Sequence, residues 1–125
     1  MDIRTCEGEN YSVRCDAQAA TVVFEGSLRL SGPDAYSDIN QMLHSRLEQC
    51  SNSASEASPE QITLDIQELK FLNSSGISML SKFVISVRKQ ENVKIVILAS
   101  ENVPWQSKSL KNLQRLLPSL EIEMK

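Results

Sequence analysis

Residues Ile62 to Leu80 read ITLDIQELKFLNSSGISML. Ile62, Leu64 and Ile66 alternate with polar residues, which predicts a strand with one buried face. Asn73-Ser74-Ser75-Gly76 follows a short turn. Ile77, Leu80, Val84 and Val87 then recur at helical spacing, with Met79 and Phe83 widening the stripe. The pattern predicts a strand over 62–66 and a helix over 75–90. It sets two adjacent hydroxyls at a helix N-terminus beside a glycine. That end of a helix carries free N–H donors and a partial positive charge. A site of this kind tolerates, or responds to, a phosphate. The same residues also fit a plain helix start, because Asn and Ser are favoured caps and Gly permits close packing.

Outward from this stretch, the C-terminal half alternates strand and helix. Val93 to Ala99 (VKIVILA) is an almost unbroken apolar run, as in a strand covered on both faces. Glu101 to Trp105 reads as a loop. Ser107 to Leu117 presents Leu110, Leu113, Leu116 and Leu117 on one helical face before Pro118, and Leu120 to Met124 suits a final edge strand. Such an order implies right-handed crossovers between parallel strands. Upstream, Tyr11 to Asp16 and Ala20 to Leu30 read as an antiparallel hairpin turning at 16–19, with Gly26 marking a bulge. Ser31 to Asp34 opens a helix that runs to about Gln49. Residues 1–10 read as a frayed lead-in or a short strand. Cys50 to Glu60 (CSNSASEASPE) reads as a flexible Ser-rich loop without core residues. The expectation is a single α/β domain over residues 1–125, with a mixed, mostly parallel four- to five-stranded sheet flanked by helices.

Composition narrows the function classes. The 125 residues suffice for a core that buries roughly two-thirds of the unfolded surface. Net charge is −3, from 13 Lys+Arg against 16 Asp+Glu, with no basic run. That argues against nucleic acid or an anionic membrane as partner. Cys6, Cys15 and Cys50 are odd in number and match no metal or redox spacing, so they read as thiols of a reducing compartment. With no signal-peptide pattern and no long apolar run, the expected location is the cytoplasm. No metal or other cofactor is expected.

Catalytic readings are weak. Ser74 and Ser75 lack a Gly-x-Ser-x-Gly elbow, and the single His44 sits in a helical pattern among polar residues, where a surface role is expected. Asp65 and Glu68 suit solvated positions at a strand end better than an acid pair. Trp105 suits a lid on the core beside the last helix better than an exposed anchor.

The run Leu69 to Leu80 (LKFLNSSGISML) resembles the signature of the STAS domain, the fold of bacterial anti-sigma factor antagonists. That signature reads hydrophobic-x-Phe-hydrophobic-Asp-Ser-Ser-Gly-hydrophobic-x-hydrophobic-Leu. Upstream, Phe24-Glu25-Gly26-Ser27-Leu28 is similar to the family's strand ending in Gly-x-Leu, and the element order fits over roughly residues 11–124. The resemblance implies a regulatory interaction module and not an enzyme. It implies Ser74 as phosphoacceptor, with Ser75 as the alternative. The implied docking surface is Asn73, Ser74, Ser75, Gly76 and Ile77, extended by the loop after Gly26. The implied partners are an anti-sigma factor or a serine kinase with a histidine-kinase-like ATPase fold, and a metal-dependent phosphatase of the PPM type. The unphosphorylated form would bind the kinase or anti-sigma factor. Two positions depart from the family pattern: Asn73 and Arg29 stand where Asp is usual. A phosphorylation-independent scaffold or a small-ligand sensor is the alternative function.

Overall fold

The computed structural model describes residues 3–16, 21–53, 55, 57, 60–90 and 92–125. Six strands form one sheet in sequence order: β1 (Ile3–Glu7), β2 (Tyr11–Asp16), β3 (Thr21–Leu28), β4 (Glu60–Leu72), β5 (Val93–Ala99) and β6 (Glu121–Met124). The first two pairings are antiparallel and the last three parallel. The α/β class and mixed pairing agree with the reading of the sequence. The extra strand is β1. It pairs along its whole length with β2, through Arg4 opposite Cys15 and Cys6 opposite Val13. An edge strand needs few apolar residues, which is why so polar a segment carries so faint a signal.

The parallel part steps in one direction across the sheet. Right-handed crossovers that all step one way leave their helices on one face. Those helices are α1 (Gly32–Ala35) and α2 (Ser37–Ser53) between β3 and β4, α3 (Ser74–Arg88) between β4 and β5, and α4 (Pro104–Leu116) before β6. Val22 and Phe24 of β3, Ile62, Leu64 and Ile66 of β4, and Ile95 and Ile97 of β5 form the core with Met42, Leu43, Phe83, Val84 and Leu110 of the helices. In the first half of β3, and in β4 up to Ile66, burial alternates, as a sheet covered on one face requires.

Several boundaries differ from the sequence reading. Helix α2 continues through Ser53, so 51–53 are helical and not loop. Cys50 is buried in the core, and Ser51 Oγ donates to Gln90 Oε1 at 2.6 Å, which fastens this end of α2 beyond α3. Of the rest of the expected loop, 54, 56, 58 and 59 lie outside the described residues, as do 17–20 of the expected hairpin turn. Strand β4 does not stop at Ile66 but runs to Leu72. Burial passes from Ile62, Leu64 and Ile66 to Leu69 and Leu72, and the pairing with β3 shifts register twice. The irregularity breaks the two-residue alternation that marks a strand in sequence. Trp105 lies in α4, which starts at Pro104, a favoured first helical residue. His44 is half-buried, with its ring edge-on to Phe83 at 5.7 Å. The bulge expected at Gly26 is present. Its φ is +89°, a region that suits glycine, and a Cβ there would lie 2.1 Å from the Asn10 carbonyl oxygen.

Candidate functional site

The site grows from the way β4 hands the chain to α3. At the register shifts, β4 is held from the side by α4. Gln106 is fully buried, and its Nε2 donates to the carbonyls of Ile66 at 2.6 Å and Leu69 at 3.0 Å. Its Oε1 accepts from Ser100 N at 2.8 Å. Trp105 is half-buried against the core, and its indole N–H donates to the Leu69 carbonyl at 3.2 Å. Trp105 is therefore a lid on the core, as the sequence suggested. Gln106 was not foreseen: it falls between the expected loop and the helix expected from Ser107, where a lone amide gives no sign of burial.

Asn73 is the only residue between β4 and α3, and every polar group it owns is engaged. Its backbone N–H donates to the Leu28 carbonyl at 3.2 Å, and its carbonyl accepts from Ile77 N at 2.9 Å. Its Oδ1 caps the helix by accepting from Gly76 N at 3.0 Å, and accepts also from the Tyr36 hydroxyl at 2.7 Å. Its Nδ2 donates to the Leu30 carbonyl at 2.8 Å. Asparagine suits this position because the site needs an acceptor and a donor on one short side chain. A carboxylate would cap the helix equally well but could not donate to Leu30. The departure at position 73 thus has a local structural cause. Burial pushes the Tyr36 phenol up from its ordinary value, opposed in part by a backbone hydrogen bond with Leu30, so the hydroxyl remains a neutral donor.

Capping by Asn73 leaves the serines without that duty. Ser74 is exposed and Ser75 half-buried. Gly76 is buried where a Cβ would meet Leu72 Cδ1 at 2.2 Å and the Tyr36 oxygen at 2.9 Å. Its role is the close packing expected of it. Ile77 packs partly buried against the core. The two serines face different surroundings. Ser75 lines a cleft of about 330 Å³ between α2 and α3 with Tyr36, Ser37, Asn40, Ser78, Met79 and Lys82, whereas Ser74 is not part of its wall. Near the end of β3, the Arg29 guanidinium lies over the ring of Phe71, 4.6 Å from its centroid.

The other candidates take structural roles. Asp65 Oδ1 accepts from the backbone and side-chain N–H groups of Gln67 at 3.1 and 3.2 Å. Glu68 pairs with Lys70 at 3.4 Å on the surface. Among the described residues no group of His, Cys, Asp and Glu is placed to hold a metal, and no helix is long and apolar enough to cross a membrane.

A sheet with two antiparallel pairings followed by three parallel steps is the mixed α/β fold that the resemblance in sequence implies. Its structural neighbours include SiaC of Pseudomonas aeruginosa, which shares 13% sequence identity at a TM-score of 0.68, over 100% of this chain and 98% of that one. The apo form of SiaC gives 11% identity and a TM-score of 0.70, over 100% and 99% of the two chains. A chain in the crystal structure of the diguanylate cyclase SiaD in complex with its activator SiaC gives 12% and 0.71, over 98% and 99%. At this identity the likeness is one of fold. No family model matches the chain, and no curated protein matches it in sequence.

Proposed function

We propose that this chain is a regulatory protein-interaction module of the anti-sigma factor antagonist type, switched by reversible phosphorylation of Ser74. The observation behind the reading is that capping and exposure fall on different residues. Asn73 holds the helix start, and the Ser74 hydroxyl beside it is exposed. A phosphate there adds a charge of about −1.5 to −2 without breaking the cap. The helix N-terminus offsets part of it. A partner seated over Asn73, Ser74, Ser75 and Ile77 meets new charge and bulk. In this reading a serine kinase with a histidine-kinase-like ATPase fold adds the phosphate and a PPM-type phosphatase removes it. The unmodified form binds the kinase or an anti-sigma factor. The chain acts by binding, catalyses nothing itself, and works in the cytoplasm.

The likeness to SiaC supports a second choice of partner. SiaC is described as the activator of a diguanylate cyclase and is seen in complex with it. A diguanylate cyclase therefore joins the anti-sigma factor as a candidate for the surface around Ser74.

Mass spectrometry of the protein from its native cells, followed by affinity measurements with whatever co-purifies, tests the reading. Phosphate on Ser74, and a loss of affinity beyond tenfold (about 1.4 kcal/mol) in Ser74→Asp but not in Ser74→Ala, is the expected result. Unmodified protein under several growth conditions, with unchanged affinity in both variants, would overturn it. Phosphate confined to Ser75 would move the switch into the cleft.

A further inference from the structure

Arg29 is exposed, and no carboxylate pairs with it among the described residues. Its guanidinium rests instead on Phe71, itself 38% exposed. The backbone holds this pair beside the candidate switch. The residues on either side of Arg29 are both bonded to Asn73: the Leu28 carbonyl to its backbone N–H and the Leu30 carbonyl to its side-chain amide. Ser74 is the next residue, one Cα step of about 3.8 Å further on. A long cationic side chain without an ion pair among the described residues thus springs from backbone tied to the residue before an exposed hydroxyl. The nearest other cation along β4, Lys70, is already paired with Glu68. The acidic Asp34 lies in α1, on the far side of Leu30 in sequence.

We propose that Arg29 is the intramolecular receptor for a phosphate carried by Ser74. The guanidinium fork donates two hydrogen bonds to two phosphate oxygens, a geometry that lysine cannot reproduce. A charge-assisted bidentate pair outweighs a cation–π contact at an exposed site, so the phosphate draws Arg29 from its seat over Phe71. Modification then does two things. It adds a dianion at the turn, and it withdraws a cation from the surface on which a partner would dock. This inference rests on Ser74 as the acceptor.

The test installs phosphoserine at position 74 genetically and follows its titration by phosphorus NMR. An ordinary phosphoserine has a second pKa of about 6. In the intact chain it is expected below that value, and Arg29→Ala should raise it by about 0.5 or more, a roughly threefold change in proton affinity. Arg29→Lys should restore part of the shift, and molar salt should erase most of it. The same titration in Arg115→Ala should not move, since that cation lies in the last turn of α4. Amide spectra of each variant check the fold; should Arg29→Ala unfold, the Arg29→Lys titration decides. Superimposable curves for the parent and the Arg29 variants would overturn the assignment. Because the phosphate is installed, that failure leaves Ser74 as a physiological acceptor untouched. Native protein without phosphate would count against the acceptor and not against the receptor.

Discussion

Two helices begin on the same edge of this sheet, and they begin differently. Helix α3 leaves β4 through a single residue whose side chain caps it. Helix α4 follows β5 through the segment 100–103 and starts at Pro104, with Val103 at the cap position giving no side-chain cap. Its first turn points its polar groups inward: Gln106 and Trp105 donate to β4 carbonyls, and Gln106 accepts from Ser100. At α3 the capping is done by Asn73, while Ser74 stays in solvent. The contrast teaches that one helix start serves as an anchor and the other as a display. An anchor must be buried and fully bonded. A display must be held firmly by something other than the group it presents.

The comparison breaks most readily at the anchor. Gln106→Leu removes three hydrogen bonds from a site with no solvent, at about 1–3 kcal/mol for each buried group left unsatisfied. We expect a loss of about 3 kcal/mol in urea unfolding. A smaller loss would mean that water or Trp105 replaces the amide, and that α4 is held by its leucines alone.

Next in size is the floor of the display. Gly76→Ala sets a methyl against Leu72 and Tyr36, and overpacking of this kind costs about 1–3 kcal/mol. Thermal unfolding should show a drop near 2 kcal/mol, and crystallography a displaced Leu72. A neutral result would show that the start of α3 has slack, contrary to the idea of a firmly held turn.

The cap itself gives the sharper test. Asn73→Asp keeps the acceptor for Gly76 and Tyr36 but opposes a carboxylate to the Leu30 carbonyl. The expected cost at pH 7 is about 1 kcal/mol, although a negative charge at a helix N-terminus is ordinarily favourable. A gain in stability would show that the Leu30 bond does not matter and that the usual acid could serve here.

The smallest effect is expected at Tyr36. Tyr36→Phe removes one hydrogen bond to Asn73, about 1 kcal/mol or less at neutral pH. The folded phenol titrates above its ordinary value because it is buried. Its contribution is therefore complete below about pH 10 and is lost as pH rises from there through the folded pKa. The parent should lose stability over that range more steeply than Tyr36→Phe. The buried Cys50 thiol, also pushed up by burial, adds a loss common to both proteins from its own lower ordinary value upward. Parallel alkaline curves would show that Tyr36 is not the titrating contributor.

Much of this was readable in the chain, and the unreadable parts share a cause. Helical periodicity found α3, runs of β-forming and apolar residues found β3 and β5, an interrupting glycine marked the bulge at Gly26, and the Asn-Ser-Ser-Gly run marked the candidate site. What periodicity misses is any element whose burial pattern is broken or faint. The register shifts hid the second half of β4, the edge position hid β1, and a buried Cys50 flanked by serines hid the end of α2. The site was legible as a list of neighbours in sequence but not as a network. Tyr36 and Leu30 reach Asn73 from more than thirty-five residues away. Gln106 reaches β4 across a similar distance. Arg29 drew notice only as a departure from a family pattern. Its seat over Phe71 depends on the pairing of β3 with β4, which sets Ser27 opposite Phe71.

The assignment of cap and hydroxyl to adjacent residues has a consequence for descent. Position 74 takes no part in the side-chain cap, so under the proposed function a single codon change there would abolish or restore the acceptor while the domain goes on folding. If Ser74 is the switch, as proposed, such a gene would pass between a regulated copy and a constitutive one in one step, and back. Position 73 has no such liberty, because its amide joins three separate parts of the chain. Duplicated copies should therefore diverge first at 74, with 73 holding still.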